Sequence, residues 1–326
     1  MKETINATRD FAEQIHHGDT RALARAISLI ENNAPQAQEI LSACFPHTGR
    51  ALRIGITGSP GAGKSTLVDQ LVRAWRKEEK TIGIIAVDPT SPFTGGAILG
   101  DRIRLQDHSS DPGLYVRSMA TRGALGGLAQ ATADAAQLIE ASGKDLVLIE
   151  TVGVGQDEID IVRLSDITLV VLVPGMGDDV QSLKAGIMEI ADIFVINKAD
   201  REGADRVEKE IRAMQSLGHS VDNWTPPVIK TIATTGAGIT ELIGAIGARK
   251  AWLAAEGRME AKRQTYWQQR IEAMVQQALL KAARTHGLSS EELAQHAQRI
   301  TAKTENPYQL VPSLVAEIFQ HRKAKP

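Results

Sequence analysis

One eight-residue segment carries the clearest chemistry in the sequence. Residues 58–65 read Gly-Ser-Pro-Gly-Ala-Gly-Lys-Ser and fit the phosphate-binding pattern GxxxxGK[ST] without a mismatch. In such a loop, backbone N–H groups converge on the phosphates of a nucleotide. Lys64 would reach the β- and γ-phosphates, and Ser65 would bind Mg²⁺. The sequence therefore predicts a nucleoside triphosphatase, whose phosphate contacts are Gly58, Ser59, Pro60, Gly61, Ala62, Gly63, Lys64, Ser65 and Thr66.

A second motif predicts that the base is guanine. Asn197-Lys198-Ala199-Asp200 follows the apolar run Ile193–Ile196. The Asp200 carboxylate would accept hydrogen bonds from the ring N1–H and the exocyclic amino group of guanine, a donor pair that adenine lacks. Lys198 would lay its stem along the purine, and Asn197 would tie the base loop to the phosphate loop.

The segment after the next apolar run is a further candidate for base binding. Ile232, Ala233 and Thr234 could supply a backbone N–H to the guanine oxygen. They could equally form a plain loop before the following helix, and both alternatives stay open.

A third motif points to the γ-phosphate. The apolar run Leu146–Ile149 ends in Glu150, whose carboxylate could hold Mg²⁺ through water. The N–H of Gly153 could bond a γ-phosphate oxygen and so sense hydrolysis, and Gln156 could orient the attacking water. The predicted catalytic residues are therefore Lys64, Glu150 and Gln156.

Two aspartates are additional candidates for metal binding. Asp88 follows the apolar run Thr81–Val87, and Asp101 lies in a glycine-containing loop. Mg²⁺ prefers carboxylate oxygen, although an aspartate near a phosphate loop can also cap a helix or face solvent. The predicted metal ligands are Ser65, Asp88, Asp101 and Glu150.

These motifs lie between apolar runs that alternate with helical segments. Continuously apolar runs are typical of strands that helices bury on both faces. We therefore predict an α/β fold with a doubly wound, mostly parallel sheet of the P-loop NTPase type. The predicted strands are Leu52–Thr57, Thr81–Val87, Leu146–Ile149, Ile167–Val173, Ile193–Ile196 and Val228–Ile232.

The same pattern divides the chain into three regions. We predict that residues 1–48 form a helical extension in which Asp19 caps a helix, that residues 49–250 form the P-loop domain, and that residues 251–326 form a C-terminal helical dimerisation region. The last region carries an apolar stripe that could pair with a second subunit or pack on its own domain. Its members are Trp267, Ile271, Met274, Ala278 and Ala282, and Gly287 is predicted to end that helix.

Composition excludes several functional classes. The net charge of −2 favours neither nucleic acid nor an anionic membrane surface as a partner. Cys44 is the single cysteine, which excludes an intrachain disulfide and any multi-cysteine metal site. The sequence has no signal-peptide pattern and no apolar run near the ~20 residues that cross a bilayer. We expect a soluble cytoplasmic protein with no nucleic-acid or membrane partner.

The motifs together resemble those of a known family. They are GSPGAGKST, AVDPTSPFTGGAILGDRIR, TRGALGGLA, IETVGVGQ, PGMGDDVQSLKAGIMEIADIFVINKAD and WTPPV. This combination is similar to the methylmalonyl-CoA mutase-associated GTPases of the MeaB/ArgK type, which are SIMIBI-class P-loop GTPases. The likeness covers roughly residues 10–290.

The resemblance implies a specific role. Such proteins are homodimers that chaperone an adenosylcobalamin-dependent acyl-CoA mutase, using GTP, GDP and Mg²⁺ to gate cofactor loading and to protect or reactivate the mutase. Residues 177–184 would signal nucleotide state to the mutase, although the same residues could simply begin a helix. The implied partner-signalling residues are Asp178, Asp179, Gln181 and Lys184.

Three other functions remain alternatives. A kinase or ATPase acting on a transport-system protein would also use the phosphate loop, but Asp200 argues against ATP. A nickel-type metallochaperone GTPase would need Cys and His ligands, which are sparse here. A non-catalytic scaffold would not need the intact Lys64, Ser65 and Glu150.

Overall fold

The computed structural model describes residues 2–88, 111–120, 127–151, 163–175, 190–217, 223–285 and 289–323. The chain divides into two compact units, Met1–Met259 and Glu260–Pro326. The first unit contains the sheet and the motifs introduced above. The second is helical in its described residues.

A parallel β-sheet forms the centre of the first unit. Within the described residues it has seven strands in the order β3-β2-β4-β1-β5-β6-β7, and every neighbouring pair is parallel. The predicted α/β fold is confirmed. The strands are β1 (Leu52–Gly58), β2 (Ile82–Asp88), β3 (Leu114–Ala120), β4 (Leu146–Thr151), β5 (Ile167–Leu172), β6 (Ile193–Ile196) and β7 (Val228–Lys230).

Helices cover both faces of this sheet, as continuously apolar strands require. In β5, Leu169 and Val171 face a core that includes two of the helices, whereas Val170 and Leu172 face a separate core with a third helix. The described helices are α1 (Lys2–His16), α2 (Thr20–Glu31), α3 (Ala37–Cys44), α4 (Lys64–Lys77), α5 (Gly127–Ala141), α6 (Ala204–Leu217), α7 (Ile239–Ala254), α8 (Arg258–Thr285), α9 (Ser290–Thr301) and α10 (Pro307–Lys323). Helices α4 and α7 lie on the first face and α6 on the second.

The N-terminal helices follow the prediction closely. The Asp19 carboxylate accepts the N–H groups of Arg21 and Ala22 at 2.8 and 3.0 Å, so it caps α2 as predicted.

None of the helices in the described ranges is both long and apolar enough to cross a membrane.

Strand β3 is absent from the prediction. It lies at the edge of the sheet beside β2, and Arg117 and Ser118 interrupt its apolar pattern. The structure accounts for the charged residue, because Arg117 pairs with Glu31 of α2 and donates to Ser28 at 3.1 Å. The buried Tyr115 and Met119 were the available signal, since aromatic and apolar residues favour strands.

A buried ion pair fastens α7 to the sheet. Arg249 and Asp192 are 5% and 6% exposed, and their side chains meet at 2.6 Å. The guanidinium carbon lies 4.8 and 4.3 Å from the ring centroids of Trp224 and Trp252. The second carboxylate oxygen of Asp192 accepts the N–H of Thr168 at 2.8 Å. A planar cation therefore neutralises a carboxylate that the fold has removed from water.

Replacing Arg249 by alanine should lower the free energy of unfolding by about 3–5 kcal/mol, because it leaves the Asp192 carboxylate buried without its cation. Urea denaturation followed by circular dichroism measures this change. Lys250→Ala, at the exposed next position of α7, is the matched control and should shift stability by less than about 0.5 kcal/mol. Equal losses in the two variants would contradict the assigned role.

Candidate functional site

The phosphate loop connects β1, in the middle of the sheet, to α4. Gly63 precedes the helix with φ of 85°, and a Cβ there would lie 2.5 Å from the Asn197 side chain. Gly58 has φ of 135°, and a Cβ there would lie 2.0 Å from the carbonyl oxygen of Val171. These two glycines are therefore required by both backbone conformation and space.

Two lysines hold the carbonyl groups of this loop. The Lys64 side chain is buried and folds back, so its Nζ donates to the oxygens of Gly58 at 2.6 Å and Ser59 at 3.0 Å. Lys198 approaches from the base loop and donates to the oxygen of Gly61 at 2.8 Å. Two positive charges therefore lie along the loop, where they can meet the charge of a phosphate chain.

Ser65 and Glu150 form a buried oxygen pair beside the loop. The Ser65 hydroxyl donates to Glu150 Oε1 at 2.7 Å, and the two residues are 7% and 4% exposed. Glu150 reaches this position because β4 lies between β1 and β2, where it is opposite Ile56 and Ala86. A hydroxyl and a carboxylate are the donor types that Mg²⁺ binds, so this pair fits the predicted ion.

Asn197 joins the base loop to the phosphate loop. It is 2% exposed, and its Nδ2 donates to the oxygen of Ala62 at 2.8 Å. Its Oδ1 accepts from the Thr231 hydroxyl at 3.2 Å and from the N–H of Ala233 at 3.1 Å. One amide therefore aligns three segments that are distant in sequence.

Replacing Asn197 by alanine should weaken the binding of GTP and GDP alike by about tenfold or more, because three buried hydrogen-bond partners lose their contact and the loops lose their alignment. Displacement of a fluorescent GDP analogue measures both affinities. Thr235→Ala, an exposed change in the adjoining loop, should leave them unchanged. Normal affinity in the Asn197 variant would show that the bridge is dispensable.

In the loop after β7, two of the three residues predicted to offer a backbone N–H to guanine already donate that N–H within the protein. The N–H of Ile232 donates to Ala237 O at 3.0 Å, and that of Ala233 is taken by Asn197. Gly238, with φ of 78°, lets the chain return so closely that a Cβ there would lie 2.0 Å from Lys230 O. Of the three predicted residues, Thr234 alone keeps an N–H that donates to no group in the described parts of the chain.

Asp200, the residue predicted to recognise guanine, is exposed in the turn that follows β6.

A threonine pair was missed by the sequence analysis. Thr151 Oγ1 donates to Thr57 Oγ1 at 3.1 Å, and both side chains are buried. The bond links the ends of β4 and β1 immediately before the phosphate loop. The available signal was a threonine at the end of the run Leu52–Thr57 and another two residues after the run Leu146–Ile149.

Several predicted residues fall outside the described part of the chain. These are Asp101, Gly153, Gln156, Asp178, Asp179, Gln181, Lys184 and Gly287. The backbone of Asp88 ends β2, but its side chain is not described.

Comparison with known proteins decides the family. The sequence profile described as "Methylmalonyl Co-A mutase-associated GTPase MeaB" matches residues 23–287. The chain belongs to this family. It is accordingly a GTPase, which binds guanine nucleotides, and the predicted family resemblance is confirmed.

Individual relatives agree with this membership. A Pyrococcus abyssi protein provisionally named a GTPase is 47% identical over 313 residues, which cover 95% of this chain and 96% of that one. The mouse protein named methylmalonic aciduria type A homolog, mitochondrial, is 32% identical over 308 residues, covering 89% and 74%. The crystal structure of a protein named LAO/AO transport system kinase has a TM-score of 0.72 and 27% identity, covering 97% and 98%.

Proposed function

We propose that this GTPase is a chaperone of an adenosylcobalamin-dependent acyl-CoA mutase, in which GTP binding and hydrolysis gate cofactor loading and protect or reactivate the mutase. The observation that carries the proposal is the family match, which spans residues 23–287 and names a mutase association. The mouse relative supports it, because its name refers to methylmalonic aciduria.

The geometry supports a division of roles around the nucleotide. Ser65 and Glu150, which are bonded to each other in the structure, would hold Mg²⁺. When bound, the ion neutralises charge on the phosphate oxygens. Lys64 would release the oxygens of Gly58 and Ser59 and place its ammonium group on the β- and γ-phosphates. Catalysis then rests on positioning and charge stabilisation.

The base would be read on the other side of the phosphate loop. Asp200, exposed in the turn after β6, would accept the two guanine donors, and Thr234 N–H would reach the guanine oxygen. Lys198, anchored to Gly61 O at 2.8 Å, would cover one face of the ring. Asn197, which bonds the base loop to the phosphate loop, would fix the distance between base and phosphates.

Retention on a purified partner tests the proposal. The chain is immobilised with GDP, with a non-hydrolysable GTP analogue or with no nucleotide, and incubated with an adenosylcobalamin-dependent acyl-CoA mutase. We expect retention to change between the two nucleotides. A mutase without cobalamin dependence is the control. If the mutase passes through without retention in all three nucleotide states, the proposal is contradicted.

One observation favours a kinase that acts on a transport protein, because the similar crystal structure is of a protein named LAO/AO transport system kinase. The two functions separate in a transfer assay with γ-labelled GTP and ATP. The proposed chaperone releases label as inorganic phosphate and prefers GTP. A kinase would instead leave the label on an acceptor protein.

We further propose that α8 pairs with a second copy of the chain. Its apolar side chains Ile271, Met274, Val275 and Leu279 are 57%, 42%, 50% and 39% exposed, respectively. Their spacing of three and four residues places them along one stripe of the helix. A contiguous apolar stripe of this kind is typical of an oligomer contact.

Val275→Arg should convert the dimer to a monomer, because it buries a charge in the proposed contact. Light scattering should then report 35.1 kDa rather than about twice that mass. Ala273→Arg adds the same charge at an exposed position of α8 that lies at least about 100° around the helix from each of the four stripe residues, and it should leave the dimer intact. A monomeric wild-type chain, or an unaffected Val275 variant, would refute the contact.

A further inference from the structure

A cavity lies at the edge of the sheet where the strands begin, opposite to the edge that carries the phosphate loop. Its volume is about 370 Å³, within the range of small-molecule sites. Leu52 and Leu146, the first residues of β1 and β4, form part of its wall, whereas the phosphate loop follows the last residue of β1. The cavity is therefore separated from the nucleotide site by the full length of β1.

Apolar and charged side chains both line the cavity. The apolar side chains include Trp75, Ile243 and Ile246, which belong to the main hydrophobic core or pack against it. Four lysine or arginine side chains line it, together with three carboxylates. The cations are Arg50, Lys80, Lys144 and Lys250, and the carboxylates are Glu78, Glu140 and Asp145.

Two of the three carboxylates are engaged within the protein. Glu140 pairs with Arg53 at 2.6 Å and accepts the N–H of Ala51 at 3.0 Å. Asp145 accepts the N–H and hydroxyl of Thr81 at 2.8 and 2.9 Å. Because Arg53 offsets the charge of Glu140, the lining cations exceed the remaining carboxylates by two.

Lys144 is the buried residue among the four cations that line the cavity. It is 8% exposed, and its Nζ donates to Gly113 O at a long 3.3 Å. Burial, followed by the nearby charge of Arg76, lowers the pKa of Lys144, while Asp111 and Asp145 oppose that change. Its ammonium group lies at Gly113, which does not line the cavity, so the exposed Arg50, Lys80 and Lys250 are the cations that can meet a bound anion.

We propose that this cavity is a binding site for a small organic anion. The apolar body of the ligand lies against Trp75 and the isoleucines, and its carboxylate or phosphate lies among the lysines. A pocket that combines apolar side chains with an excess of cations suits such a ligand better than it suits a bare ion. The site is distinct from the nucleotide site and independent of the proposed chaperone role.

Helix α7 supplies a matched pair of substitutions for the test. Gly247 lines the cavity, and a Cβ added there meets no heavy atom within 4 Å, so Gly247→Leu would fill the space without a backbone clash. Gly244 has the same open surroundings on the same helix but does not line the cavity. Both changes replace a helical glycine with a better helix former, so the fold should persist.

The probe is the fluorescent anion 8-anilinonaphthalene-1-sulfonate, used on the full chain with saturating Mg²⁺ and GDP. The wild type should bind it about tenfold more tightly than uncharged N-phenyl-1-naphthylamine, and Lys250→Glu should remove that preference. Gly247→Leu should lose binding of both dyes, whereas Gly244→Leu should bind them like the wild type. Equal dye affinity in the Gly247 variant and the wild type would overturn the site, and equal affinity for the two dyes in the wild type would overturn its anion preference.

Competition identifies the anionic group. Displacement of the dye by hexanoate but not by phenyl phosphate assigns a carboxylate ligand, and the reverse assigns a phosphate ligand. Failure of both competitors at millimolar concentration would refute the proposed ligand class.

Discussion

Replacing Lys64 by alanine is expected to reduce GTP hydrolysis by about three orders of magnitude or more. The Lys64 ammonium group is bonded to Gly58 O and Ser59 O, so it already lies at the loop that would hold the phosphates. Charge that develops on the γ-phosphate in the transition state would lose its main protein partner. Phosphate release under single-turnover conditions measures the loss.

A second variant separates this loss from damage to the fold. Lys77→Ala removes an exposed lysine from the other end of α4 and should retain full turnover. Circular dichroism of both variants should show the same helical content. Hydrolysis by the Lys64 variant at the wild-type rate would remove the phosphate-loop mechanism.

Replacing Asp200 by asparagine is expected to shift base preference from GTP towards xanthosine triphosphate by about a hundredfold or more. A carboxylate accepts the two guanine donors, whereas an asparagine amide can donate to the oxygen that xanthine carries instead of the amino group. Asp200 is exposed at the surface of a turn, so the change should leave the fold intact.

The ratio of kcat/KM for the two nucleotides measures this switch. Glu202→Gln, which neutralises another exposed carboxylate two residues further on, is the control and should keep the wild-type ratio. If the Asp200 variant keeps the wild-type base preference, the assignment of Asp200 to guanine recognition is wrong.

The order of apolar runs was sufficient to predict the fold, because strands buried on both faces need continuous apolar sequence. The same pattern did not predict β3, because Arg117 interrupts the apolar run. Its charge is neutralised by Glu31 of α2, which lies 86 residues away in the sequence. Local pattern carries no information about such a distant partner. Edge strands also tolerate polar residues that a central strand would exclude.

The candidate site was predictable to the extent that its residues lie in contiguous motifs. Spacing alone indicated Lys64, Ser65 and Asp200 as functional candidates. It did not indicate that Lys64 folds back on its own loop, or that the N–H groups of Ile232 and Ala233 are already engaged. These features depend on how β1, β6 and β7 end at one edge of the sheet.

The buried pair of Asp192 and Arg249 illustrates the same limit. The residues are 57 positions apart, and their tryptophan neighbours lie on different segments. Either residue alone looks like an ordinary surface charge. Only packing of α7 against the sheet brings them together.

In the proposed function, a guanine nucleotide bound at this site controls the cofactor state of a mutase. The decisive experiment follows adenosylcobalamin loading of a purified acyl-CoA mutase by absorbance, in the presence of wild-type chain or Asp200→Asn, with GTP or xanthosine triphosphate. We predict that GTP changes loading with the wild type and that xanthosine triphosphate does so with the variant. Two results would contradict nucleotide control of the mutase. One is that GTP does not change cofactor loading with the wild-type chain. The other is that xanthosine triphosphate does not change loading with a variant that hydrolyses it.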